Sequence, residues 1–419
     1  MDLFDKIDQR MQTDLGQFAQ YGHGYFTFPK LEGEIGPRVK FQGREVLNWS
    51  LNDYLGLANH PEIRKTDADA AANFGFAAPM GSRMLTGNTD LHEAFEAEAS
   101  AFMGKEDTFL LNFGYQGCMS IIQALTDRKD VIVYDQLSHA CMIDGMNLSL
   151  AKRFVFAHND IDQLEDRLKK AKEVTERTGG GILVVTEGVF GMKGDTGRLD
   201  TICALKEKYN FRIFVDDAHG FGVMGERGTG TGEYYGVMDQ LDVYFTTFAK
   251  SMAMIGAFVS GDKKVIDYLR YNLRSQIYAK SLPAAMVVGA RKRLEMLKNA
   301  PAMRQKLWEV TRALQNGLRE RGMDLGVTET PVTTVYFKIP VTQVMAIMKD
   351  MRDRNNLFVS TVIYPVIERG LIMFRMIPTA NHTMEDVEYT LDCFSDVKEK
   401  IQSGYYARIE QEEVVKAEA

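Results

Sequence analysis

Little in this sequence ties the protein to a membrane, a disulfide scaffold or nucleic acid. No run reaches the roughly eighteen uncharged apolar residues that a membrane helix requires, and the N-terminus MDLFDKIDQRMQTDL carries acids where a secretory signal carries basic and then apolar residues. That predicts a cytoplasmic protein and leaves peripheral association with a membrane open. Cysteine is scarce: Cys118, Cys141, Cys203 and Cys393 are widely spaced with no CxxC pair, so neither a disulfide framework nor a metal site is expected. A basic surplus is also missing, since 50 Lys and Arg face 57 Asp and Glu for a net charge of -7. With the basic residues scattered, nucleic acid is excluded as a partner. What remains, 45% apolar and 26% charged residues over 419 positions, describes a globular protein too long for one core.

The order of patterns divides the chain. Residues 1 to about 22 read as an amphipathic helix, and Val39 to Trp49, with a turn at Gln42 and Gly43, reads as a hairpin. Together they form an N-terminal arm over 1–55. Between 56 and 284 helical stretches alternate with short apolar runs at Phe109–Leu111, Val131–Tyr134, Ile182–Val185, Phe211–Val215, Val243–Thr247 and from Ala257. Such alternation predicts a large α/β domain with a mostly parallel sheet, whose ligands sit beyond the carboxyl ends of the strands. Long helices over Leu282–Leu297 and Met303–Arg321, a shorter one over Val344–Arg354, and the runs VTTVYFKI, LFVS and LIMFRMI predict a smaller α+β domain over 285–402, followed by a charged tail at 403–419. The methionines, 23 in all, fall at helical spacing and read as core filling.

Three strand ends carry chemistry. Asp216-Asp217-Ala218-His219 follows FRIFV, Thr247-Phe248-Ala249-Lys250 follows VYFTT, and Ser138-His139-Ala140 comes shortly after VIVY. A pyridine cofactor acting as an electron sink needs a carboxylate to keep its ring nitrogen protonated and a lysine to form a Schiff base. Each group alone is ordinary, because a lysine after a strand is usually solvated and an Asp-Asp pair is usually a turn or cap.

In combination they resemble the α-oxoamine synthases of the type I aminotransferase fold. The resemblance runs from about Val39 to Phe394 and rests on SLNDYLGLANHP (50–61), GSR (81–83), FGYQG (113–117), SHACMIDG (138–145), HND (158–160), EGVFGMKGD (187–195), VDDAHGFG (215–222) and TFAKS (247–251). It implies a fold-type I, aspartate aminotransferase-like transferase that uses pyridoxal 5'-phosphate. By the same resemblance Lys250 holds the cofactor and acts as general base, Asp216 pairs with the pyridinium, His219 bonds the ring phenolate, and His139 stacks on the ring. Thr247 and the backbone of Gly114 and Tyr115 would hold the phosphate, with Lys280 near the phosphate of a neighbouring subunit in a homodimer. Arg375, in RMIPTANH, would clamp the substrate carboxylate, with Asn52 and Arg83 also at the substrate site. The implied reaction joins an amino acid to an acyl thioester with loss of carbon dioxide.

Other features read as structure. Gly220-Phe-Gly222-Val-Met-Gly225 fits a dinucleotide fingerprint, but ERGTGTG follows instead of an apolar helix. His158, His92, Cys118 and Cys141 are expected to be structural or small buried residues. Gly191 and Cys118 depart from the family, where serine and asparagine are common.

Within the family the chain resembles the lipid-forming branch: serine palmitoyltransferases and, closer in EGVFGMKGD, TFAKSMA and RSQIYAKSLP, the cysteate acyltransferases of sulfonolipid synthesis. Burying the extra charge of a sulfonate calls for a paired cation, and Lys280, Arg83 and Arg274 are candidates. The reading leans to cysteate with a long-chain fatty acyl thioester, on coenzyme A or acyl carrier protein, giving a 3-keto long-chain amine. Serine, then 2-amino-3-ketobutyrate CoA ligase or aminooxononanoate synthase activity, and more remotely an aminotransferase or a non-catalytic subunit, are the alternatives. Lys250 argues against the last. Arg291, Lys292 and Arg293 are the one candidate docking patch for a carrier protein, although three basic residues on a helix are usually its solvated face.

Overall fold

The computed structural model describes residues 2–13, 16, 20, 22–299, 301–363, 367 and 370–409. The N-terminal helix is present over Asp5–Met11 and buries none of its residues; positions 14, 15, 17–19 and 21 of the expected helix, and 410–419 of the charged tail, lie outside the described residues. A short strand β1 (Leu31–Glu32) leads into the hairpin β2 (Arg38–Phe41) and β3 (Arg44–Asn48). Gln42 and Gly43 both have positive φ, 50° and 76°, the pair of conformations a two-residue hairpin turn demands.

The large sheet follows: β4 (Asp107–Leu111), β5 (Val131–Asp135), β6 (Lys152–Phe156), β7 (Ile182–Glu187), β8 (Arg212–Asp216), β9 (Val243–Thr247) and β10 (Ala257–Gly261). Their order is β4-β10-β9-β8-β7-β5-β6, with β6, β5, β7, β8 and β9 parallel and β10 antiparallel to both neighbours. Helices cover both faces, which is why β7 and β10 are buried along their whole length. Edge strand β6 has no counterpart among the apolar runs. Its sequence KRFVF leaves three of five residues exposed, so it carries no continuous hydrophobic signal.

Helices Ala284–Asn299 and Pro301–Glu320 lead out of this layer. Beyond them β11 (Thr333–Phe337), β13 (Ser360–Val362) and β14 (Ile372–Met376) form a three-stranded antiparallel sheet. Strand β12 (Leu357–Phe358) instead pairs in parallel with β3, so the N-terminal arm is sewn to this region. Indole stacks on imidazole where Trp49 meets His382, 3.8 Å between centroids. The last helix, Met384–Gln402, is started by a reciprocal cap between Thr383 and Asp386. The expected helix over 344–354 holds as Val344–Lys349 and then widens into a π turn at Asp350–Arg354. Among the described residues no helix is long and apolar enough to cross a membrane.

Parallel pairing fixes what stands beside what. Register sets Glu187 opposite Asp216 and Asp216 opposite Phe245, so β7, β8 and β9 deliver their carboxyl ends to one side.

Candidate active site

Asp216 ends β8 and Asp217 follows it, and the alternation of successive side chains turns them to different surroundings. Asp217 accepts hydrogen bonds from the Thr231 amide (2.6 Å), the Thr231 hydroxyl (2.7 Å) and the Tyr244 hydroxyl (3.0 Å). Gly188, Gly220 and Gly230 crowd it so closely that a Cβ on any of them would overlap its carboxylate. Burial pushes Asp217 up to about 7. It is a structural knot. Asp216 is also buried, yet among the described residues it accepts only the Ala218 amide at 3.1 Å on one oxygen and the Cys141 thiol at 3.7 Å on the other. Burial raises its pKa, and Lys250 and then His139 oppose that.

Lys250 stands in the turn after β9. Among the described residues its Nζ has no hydrogen-bond partner, while burial lowers its pKa and the charges of Asp216 and Glu187 oppose the shift. Glu187 is held well above the usual carboxylate range by burial and then by Asp216; it accepts the His139 backbone amide at 2.8 Å. His139 itself caps helix Ala140–Leu148, its Nδ1 accepting the Cys141 amide at 3.2 Å and lying 3.0 Å from the Cys141 sulfur.

On the far side, Tyr54 reaches Nδ1 of His219 at 2.7 Å. Burial, then the charges of Lys250 and Arg375, hold His219 well below its ordinary pKa and therefore neutral. Any Cβ at Gly191 would overlap Nε2 of this ring. The Gly191 carbonyl also accepts Nε of Arg375 at 2.6 Å, and the two Nη groups of Arg375 have no partner among the described residues.

Pyridoxal phosphate fits this set. Among the described residues Lys250 is an unpaired amine whose charge Asp216 supports, and Ser138 Oγ is buried without a partner. Gly114 starts helix Gly114–Leu125, whose first-turn amides point out of the helix. A Cβ at Gly114 would come within 2.6 Å of Thr247 Oγ1, so glycine is what lets the helix start meet Thr247 and form one cradle.

Residues 44–394 match the family described as aminotransferase class I and II. The chain is 55% identical over 411 residues to a cysteate-C-fatty acyltransferase from Capnocytophaga ochracea, covering 98% of each chain. The chain belongs to the aminotransferase class I and II family. Its structure superposes on a Sphingomonas wittichii serine palmitoyltransferase with a TM-score of 0.89 at 29% identity, over 97% of this chain and 100% of that one. A serine palmitoyltransferase from S. paucimobilis with bound PLP-myriocin gives 0.87 at 25%, over 96% and 100%. The chain is a PLP-dependent enzyme of the α-oxoamine synthase type, joining an amino acid to an acyl group, and its fold is fold-type I.

The other residues singled out for this family reading are placed as follows. Asn52 has a buried Oδ1 without a partner among the described residues. Arg83 is engaged by Glu96 at 2.8 Å and Asn88 at 2.7 Å, so it is not free for a second anion. Lys280 is exposed, its Nζ 3.4 Å from the Phe76 carbonyl, and Arg274 lies over Tyr278; neither has a carboxylate partner among the described residues. Arg291, Lys292 and Arg293 are paired with Glu98, with Glu62 and Glu295, and with Asp67, which removes them as a docking patch. His92 bonds Thr89 and the Leu282 carbonyl. His158 bridges Asp135 and Asp195. The segment Gly220–Gly225 is a turn-rich loop with Gly222 and Gly225 at positive φ.

The sequence analysis assigned nothing to Tyr54 and Glu187 and read Cys141 as a small buried residue, which it is. Each lies inside a quoted motif, and Glu187 ends a strand at the same level as Asp216; that shared level was the signal available for it.

Proposed function

We propose that this enzyme condenses cysteate with a long-chain fatty acyl thioester, releasing carbon dioxide and a thiol and giving a 3-keto long-chain amine. The observation that carries the choice of amino acid is the 55% identity to the Capnocytophaga cysteate-C-fatty acyltransferase over 98% of both chains. Lys280 and Arg274, cations without a carboxylate partner among the described residues, support it as groups able to pair with a sulfonate.

Bound pyridoxal phosphate supplies the sink that stabilises negative charge on the amino acid's α-carbon. Lys250 would hold the cofactor through its Nζ, and the same amine would carry the substrate's α-proton. Burial favours the neutral amine that this step needs. Asp216 keeps a proton on the ring nitrogen, and His139 presents the face of its imidazole. Tyr54 is held protonated by burial, so its hydroxyl donates to Nδ1 of His219 and leaves the proton on Nε2, a donor for the ring oxygen. Arg375 offers its two free Nη groups to the substrate carboxylate. Thr247 and the Gly114 and Tyr115 amides hold the phosphate.

A homodimer completes this reading. Segments 76–81 and 278–284 adjoin through Lys280 and Phe76 and through Ser281 and Gly81, and they expose Phe76, Met80 and Tyr278. Apolar side chains gathered this way mark an interface.

The test is a thiol-release screen of cysteate, serine, glycine and alanine against palmitoyl thioesters of coenzyme A and of acyl carrier protein. Cysteate should exceed serine by about tenfold or more in kcat/KM, and Lys280→Ala should narrow that gap. Equal turnover of serine and cysteate overturns the substrate assignment. Amino transfer without thiol release overturns the reaction.

A further inference from the structure

Cys118, Cys141 and Asp216 come from three different elements: helix Gly114–Leu125, helix Ala140–Leu148 and the end of β8. Both sulfurs and one carboxylate oxygen lie within 4.8 Å of one another, and all three residues are buried. A tetrahedral zinc ion with about 2.3 Å bonds to sulfur and about 2.1 Å to oxygen separates its ligands by roughly 3.4–3.8 Å. The 3.7 Å between Cys141 Sγ and Asp216 Oδ2 is such an edge. Two sulfurs and a carboxylate suit a thiophilic divalent cation, and three protein ligands leave the fourth position to solvent.

Two of these groups stand on helices and the third at a strand end, elements that hold ligand atoms more closely in place than loops do. Cys118 is held protonated by burial and by its hydrogen bond to Cys141, while that same bond, with help from His139, lowers Cys141. Metal binding sends both thiol protons to solvent and sets two thiolates and a carboxylate against a dication.

We propose that Cys118, Cys141 and Asp216 form an inhibitory site for a divalent cation of the zinc class, whose binding excludes pyridoxal phosphate because both need the Asp216 carboxylate. The inference rests on the reading of Asp216 as partner of the pyridine nitrogen.

The experiment uses the full-length protein. Cofactor-stripped protein is titrated with Co2+, and pyridoxal phosphate reloading, followed by the absorption of bound cofactor, is timed with and without Zn2+. One Co2+ per chain with an intense sulfur-to-cobalt absorption, lost on adding Zn2+, is expected, together with reloading slowed by about tenfold or more in Zn2+. Cys118→Asn and Cys118→Ser should lose the cobalt band and the Zn2+ effect while still reloading, which also shows that they fold. Reloading equally fast with and without Zn2+, or a cobalt band that survives in both Cys118 variants, overturns the proposal. Thiol release by loaded enzyme in metal-free buffer tests the reaction separately, so failure of one leaves the other readable.

Discussion

Tyr54 and His219, 165 residues apart in sequence, meet at 2.7 Å between the phenol oxygen and Nδ1. A protonated phenol against a neutral imidazole selects one tautomer, and the nitrogen left carrying the proton is the one beside Gly191. Tyr54→Phe should therefore shift the absorption of bound cofactor and lower kcat by about tenfold, with a stability loss of only ~1 kcal/mol. An unchanged spectrum would show that the contact is packing alone. Gly191→Ala should do more, because its Cβ must displace the ring.

Lys250→Ala should retain pyridoxal phosphate only by non-covalent contacts and lose thiol release by about a thousandfold or more, as expected for removing both an attachment point and a base. Borohydride treatment followed by mass measurement checks it. Cofactor mass fixed to the variant at another lysine would refute the assignment.

For Asp216→Asn the ring nitrogen loses its charged partner. Condensation should fall by about 10²-fold or more while the phosphate cradle at Gly114 and Thr247 still binds cofactor. Measuring cofactor affinity beside kcat separates the two effects; equal loss in both would move Asp216 from electronic to anchoring duty.

Arg375→Lys keeps a cation but not the fork. KM for the amino acid should rise by about tenfold or more, with a smaller change for the acyl thioester. A rise confined to the thioester would place Arg375 elsewhere in the substrate site.

His158 lies between two carboxylates, 3.1 Å from Asp135 and 2.8 Å from Asp195. Burial of the ring opposes its charge, but the hydrogen bonds it donates to Asp135 and Asp195 outweigh it and push the imidazole up to about 9. The folded pKa is above the unfolded value of about 6.5, so this stabilisation is complete below that value and is lost as pH rises through about 9. Tm should decline between those limits in the natural protein and decline less in His158→Gln. Parallel curves would exclude the clamp. Since Asp195 ends the 187–195 loop, and the Gly194 carbonyl accepts the amides of Glu329 and Thr330, loosening His158 should loosen the loop that holds Gly191.

The sequence by itself determined the elements and the reacting groups. Apolar runs of strand length, with acids, amines and imidazoles directly after them, are local signals, and local backbone preference is enough to make them strands that end in functional side chains. Turn chemistry at Gln42-Gly43 was legible for the same reason. Edge strand β6 was not, because a half-exposed strand needs no hydrophobic run. Only the tertiary structure decided what surrounds each of these groups. It packed glycines and hydroxyls around Asp217 and left Asp216 open to Lys250; it drew Arg83 to Glu96 and the 291–293 cations to acids on other helices; it brought Tyr54 to His219 and Cys118 to Cys141. Those outcomes depend on distance and burial between segments far apart in the chain, and no spacing along one segment encodes them.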